Sequence, residues 1–64
     1  MQLDRSKIDL AMAKVGKSIK EVAEDYGATT QRVNVILNSV NITPKTLYKL
    51  AKALETEPEE IIKR

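Results

Sequence analysis

The stretch that decides the fold runs from Ser18 to Asn38, S-I-K-E-V-A-E-D-Y-G-A-T-T-Q-R-V-N-V-I-L-N. In its first half, Val22, Ala23 and Tyr26 recur at helical spacing on one face, with Glu21, Glu24 and Asp25 on the other, so the segment can bury one stripe. Gly27 ends that helix. It takes the left-handed conformation at almost no steric cost, where a residue with a Cβ would be strained. A second helix begins at once, with Thr29 as its cap and Val33 and Ile36 facing inward. Ala23 sets how closely the two helices approach. A small side chain in the middle of the stripe lets them cross steeply, where Leu or Phe would hold the axes apart.

Two short amphipathic helices around a tight turn are the sequence form of a helix-turn-helix. The second helix points Thr30, Gln31, Asn34 and Val35 outward. Such groups suit base edges in the DNA major groove, because Gln and Asn can bond adenine in two places and methyls can touch thymine. A solvated helix face would carry similar residues.

The flanking sequence predicts three further helices. Asp4 can cap a first helix to about Val15, with Ile8, Ala11, Met12 and Val15 inward and Gly16 ending it. After a short loop from Ser39 to Thr43, Pro44 fits the first turn of a fourth helix capped by Thr43. Leu47, Leu50, Ala51 and Leu54 form its buried stripe, and Lys45, Lys49 and Lys52 share its polar side. Glu57 and Pro58 suit the cap and first position of a last short helix, whose positive end Glu59 and Glu60 favour. Ile61 and Ile62 then close the core or meet a partner. The expectation is an all-α fold of five helices in one domain, residues 1–64, with no repeat, low-complexity tract or dividing linker.

Composition narrows the function. A chain of 64 residues has one small core, and at this size only about 60% of the unfolded surface is buried, which disfavours a deep catalytic cleft. There is no Cys and no His, so disulfides, the usual zinc ligands, cysteine nucleophiles and histidine bases are all absent. No metal, no cofactor and no enzymatic activity are expected. Glu59 and Glu60 make a poor catalytic pair, since neighbours on a helix point about 100° apart. With no membrane-length apolar run and no signal-peptide pattern, the expected location is the cytoplasm. Net charge is only +2, but residues 1–20 hold five basic and two acidic groups against one and three in residues 21–40. Counterion-driven binding depends on where the cations lie, so this balance admits DNA while arguing against indiscriminate binding.

The chain from about Ile8 to Ile62 resembles the Cro/C1-type, lambda-repressor-like DNA-binding domains. The resemblance rests on Gly16 and Ser18 before the second helix, on V-A-E-D-Y-G with Ala23 and Gly27, on the Thr29 to Asn38 helix, and on L-x-K-L-A-K-A-L from Leu47 to Leu54. It implies a helix-turn-helix made by helices 2 and 3, with base contacts from Thr30, Gln31, Asn34 and Val35. Phosphate contacts are implied for Lys17, Ser18, Lys20, Thr29, Asn38, Lys45 and Thr46, helped by backbone N–H groups at helix starts. Arg5 and Lys7 are weaker candidates. One reading helix covers few base pairs, so a homodimer on an inverted-repeat operator in double-stranded DNA is implied, with Thr56, Pro58 and Ile62 at the dimer interface.

Three departures from the family pattern stand out. Ile19 replaces the Gln with which many relatives begin the second helix, and is expected near Val35. Met12 and Leu37 stand where phage repressors commonly pair Arg with Glu, a swap of ion pair for packing that is often neutral or stabilising. The segment N-S-V-N-I-T-P after the reading helix lacks the basic loop of some relatives. The expected function is a sequence-specific transcriptional regulator of the phage or mobile-element repressor kind, either complete or the DNA-binding piece of a longer chain. The alternatives are an antitoxin-like regulator, or a protein-interaction module that contacts its partner through Ile19, Val35 and Leu37.

Overall fold

Four side-chain oxygens start four helices in the computed structural model, which describes residues 1–63. Asp4, Ser18, Thr29 and Thr43 each accept a hydrogen bond from the backbone N–H three residues on, at 3.2, 3.3, 3.1 and 3.2 Å. Each cap satisfies an otherwise unpaired first-turn donor and contributes about 1 kcal/mol. The helices are α1 (Arg5–Val15), α2 (Ile19–Tyr26), α3 (Thr30–Leu37) and α4 (Pro44–Ala53). No strand occurs among the described residues, and one isolated antiparallel bridge joins Leu3 to Ile62.

The helix ends are as local as the starts. Gly16 and Gly27 are left-handed, at φ +67° and +91°. Beyond Gly27, the N–H of Ala28 reaches back to the carbonyl of Ala23 at 3.0 Å, which turns the chain directly into Thr29 and α3. A Cβ added at Gly27 would meet no atom within 4 Å, so the position needs glycine for its backbone angle rather than for space. The end of α4 has the same hydrogen-bond pattern, Glu55 N–H to Lys52 and Thr56 N–H to Ala51, with no glycine. Glu55 itself takes the left-handed position at φ 55°.

The fifth helix expected from the sequence is a single 3-10 turn, Pro58–Glu60. The N–H groups of Glu60 and Ile61 bond three residues back, to Glu57 and Pro58, and the Glu57 side chain makes no cap. The reason is length: Ile61 must turn inward at once to be fully buried, which leaves no room for a four-residue repeat.

Ile8, Val22, Val33, Leu50, Leu54 and Ile61 are the largest fully buried side chains. Burying each is worth roughly 1.5–3 kcal/mol. The most extensive helix contacts place α2 against both α3 and α4. Ala23 is 2% exposed, the small buried residue expected in α2. Met12 packs against the cluster containing Leu37, so both positions of the expected apolar exchange are in the core region. Leu54 and Ile61 follow directly on α4 and the 3-10 turn, and two further core residues lie in segments apart from any helix. Leu3 and Ile42 are buried, and the segments carrying them are tied by the N–H of Ile42 to the carbonyl of Met1 at 2.8 Å. The chain ends are joined as well, by Asp4 N–H to Ile61 at 2.9 Å and Lys63 N–H to Gln2 at 2.8 Å.

Candidate nucleic-acid interface

α3 divides cleanly. Val33, Ile36 and Leu37 are buried, while Gln31, Arg32, Asn34, Val35 and Asn38 are exposed and Thr30 is half-buried. The three-residue rhythm of the inward side chains forces this split, leaving amides, a guanidinium and a methyl-bearing side chain on the open face. Val35 is 56% exposed, one of several large apolar side chains left open, with Leu10, Val40 and Tyr48. Leu37, by contrast, is 7% exposed, so Ile19, Val35 and Leu37 do not form the open apolar contact face considered from the sequence. Ile19 is itself half-buried and packed against the core.

The candidate phosphate residues fall into different situations. Lys20 and Lys45 are exposed and have no carboxylate partner among the described residues. Thr46 is half-buried, and its hydroxyl accepts a hydrogen bond from Thr43 at 3.0 Å. Thr29 is occupied as a cap, as is Ser18. Ser18 is in fact half of a capping box: its hydroxyl accepts from Glu21 N–H, and Glu21 Oε1 accepts from Ser18 N–H at 2.9 Å. Those bonds from Ser18, the backbone one foremost, hold the Glu21 carboxyl below the usual glutamate range.

Lys17 is committed inside the protein. Its Nζ lies 2.6 Å from Asp25 Oδ2 and 3.0 Å from Glu55 Oε2, and donates to the carbonyl of Ala53 at 2.9 Å. The side chain is only 18% exposed. Hydrogen bonds to Asp25 and then Glu55 hold its ammonium above the usual lysine range. It therefore clamps α2 to the end of α4, with its positive charge set on the carbonyl of Ala53 at the helix C-terminus.

Arg32 is the residue that sequence reasoning missed. It is exposed on α3, in no ion pair among the described residues, and is the one basic residue between positions 21 and 40. That isolation within an acidic third of the chain was the available signal. Among the weaker candidates, Arg5 bonds Asp9 at 3.2 Å and Lys7 reaches the carbonyl of Ile62 at 3.4 Å. At the expected dimer surface Thr56, Pro58 and Ile62 are all half-buried. Thr56 and Pro58 line a shallow groove of about 260 Å³ with Tyr48, Ala51, Lys52 and Glu57. Ile62 pairs with Leu3 and packs against the core.

No helix among the described residues is long and apolar enough to cross a membrane. No curated protein and no solved structure matches the chain. A family model described as the Cro/C1-type HTH DNA-binding domain matches residues 7–64, nearly the whole sequence. The chain therefore belongs to the Cro/C1-type HTH DNA-binding domains.

Proposed function

We propose that this DNA-binding domain is a sequence-specific transcriptional regulator of the phage or mobile-element repressor kind, acting by occupying an operator. α2 and α3 form the helix-turn-helix, and α3 enters the major groove. The observation that carries this reading is the exposed face of α3, where Gln31, Asn34 and Val35 stand clear of the core next to a capped helix start. Gln31 and Asn34 supply the bidentate amides that read adenine, and Val35 the methyls that touch thymine, with Thr30 at the edge of the contact.

Around that face we assign phosphate contacts to Lys20, Asn38, Lys45 and Thr46, and add Arg32. The backbone N–H groups beside Ser18 and Thr29 complete the set. Lys17 is left out of it because Asp25 and Glu55 already use its charge. The single domain acts as a homodimer on an inverted repeat. Thr56, Pro58 and Ile62 mark the side on which the copies meet, and the exposed Tyr48 extends it.

The test is selection of the purified protein against a random duplex library at near-physiological salt, followed by sequencing of the retained DNA. An enriched inverted repeat with half-sites about one helical turn apart is the expected result. Retention without any enriched sequence would overturn direct readout by α3.

A further inference from the structure

Tyr26, Tyr48, Lys49 and Lys52 line a groove between the last turn of α2 and the second half of α4, together with Ala53 and the Lys17–Asp25 pair. Its volume is about 330 Å³, room for a few side chains and no more. Lys49 Nζ lies 4.5 Å from the centroid of the Tyr26 ring, and Lys52 Nζ lies 5.7 Å from that of Tyr48. Neither ammonium has a carboxylate partner among the described residues. The acid that lines the groove, Asp25, is already engaged by Lys17.

A lysine laid on an aromatic face keeps its charge but has already surrendered much of its rotamer freedom, so a further contact costs less entropy. Here two such cations stand one helical turn apart on the same rim, above two aromatic walls. That combination fits a chain carrying carboxylates and an apolar or aromatic side chain. The groove is lined by the last turn of α2 and the second half of α4, whereas the phosphate contacts are assigned mainly to the starts of α2, α3 and α4.

We propose that this groove docks an acidic peptide segment of a partner protein. Its carboxylates are held by Lys49 and Lys52, and its apolar side chain lies against Tyr26 and Tyr48. Docking and phosphate contact use different residues, because Lys20, Arg32 and Lys45 lie outside the groove, while Tyr48 and Lys52 also edge the expected dimer surface.

The experiment is an NMR titration of the isotope-labelled full chain with a capped peptide repeating Asp-Glu-Phe-Glu, set against its Asn-Gln-Phe-Gln counterpart. Shift changes centred on Tyr26, Tyr48, Lys49, Lys52 and Ala53, absent with the uncharged peptide, are expected. Combined Lys49→Glu and Lys52→Glu substitution should weaken the acidic peptide by about tenfold or more, while Lys20→Glu with Lys45→Glu leaves it unchanged. Both groove lysines are exposed, so circular dichroism should show the variant folded. Shifts centred on α3 and on the starts of α2 and α4 would mean that the peptide mimics phosphate, and would overturn the proposal. No shifts, or full binding by the groove variant, would overturn it too. Groove shifts that grow with protein concentration alone, without peptide, would make a second copy of the chain the occupant instead.

Discussion

Gly27→Ala isolates the cost of the turn that connects α2 to α3. At φ +91° the residue is well inside the region that L side chains avoid, yet an added Cβ meets nothing within 4 Å. The penalty is therefore conformational, about 1–2 kcal/mol, with no clash to add. For a domain of this size that should lower the melting temperature by roughly 4–16 °C. Thermal and urea unfolding followed by circular dichroism measure it, and the urea slope should stay constant because the surface exposed on unfolding is unchanged. Duplex affinity, measured well below the transition, distinguishes two ways of absorbing the strain. Local yielding at residue 27 leaves affinity intact, whereas tilting α3 relative to α2 lowers it more than the unfolded fraction explains. A loss below about 0.3 kcal/mol would refute the argument from backbone angle. A loss above about 4 kcal/mol would mean that the space beside Gly27 is needed after all.

Other consequences follow from the same geometry. Gln31→Ala should cost about 1–3 kcal/mol on the best operator and relax one base position, while Lys45→Ala weakens all duplexes alike and flattens the salt dependence; equal effects on specific and random DNA would reverse the assignment. Leu3→Ala, in a segment outside every helix, should destabilise by about 2–4 kcal/mol in urea titration because Leu3 is core. Ala23→Leu overfills the crossing of α2 with its neighbours and should cost about 1–3 kcal/mol, with duplex binding falling as α3 shifts. Because Glu21 titrates below the usual glutamate range when folded, the stability it contributes is complete above the ordinary glutamate pKa and is lost as pH falls through the lowered one. Glu21→Gln should therefore flatten the acid side of the stability profile, and Ser18→Ala should cost about 1 kcal/mol at neutral pH.

What the sequence made legible was local. Asp4, Thr29, Thr43 with Pro44, Gly16 and Gly27 act within a turn of their own positions, and each helix boundary they mark is where the structure has it. Ser18 and Glu21 were equally local, and the S-x-x-E spacing was available as a capping box. What stayed out of reach depends on distant segments. Nothing near Lys17 announces that Glu55, far along the chain, will share its ammonium with Asp25. Leu3 and Ile42 sit in stretches without helical periodicity, so their burial shows only once the ends meet the loop before α4. The last element became a 3-10 turn because burial of Ile61 overrode a sound helix start at Pro58. For the interface, the pattern distinguished the outward from the inward residues of α3. It did not distinguish a free lysine such as Lys20 from a committed one such as Lys17.

The bridge between the chain ends has a mechanical consequence. Gln2 faces Lys63 and Asp4 faces Ile61, with the outermost residues at the same end of the antiparallel pair. Tension applied through the two ends would load the Ile42 to Met1 and Lys63 to Gln2 bonds first and the Asp4 to Ile61 bond after them, rather than all of them in shear. The domain should open like a zipper at low force, drawing out Leu3 and Ile61 and unseating the core before α2 and α3 bear any load.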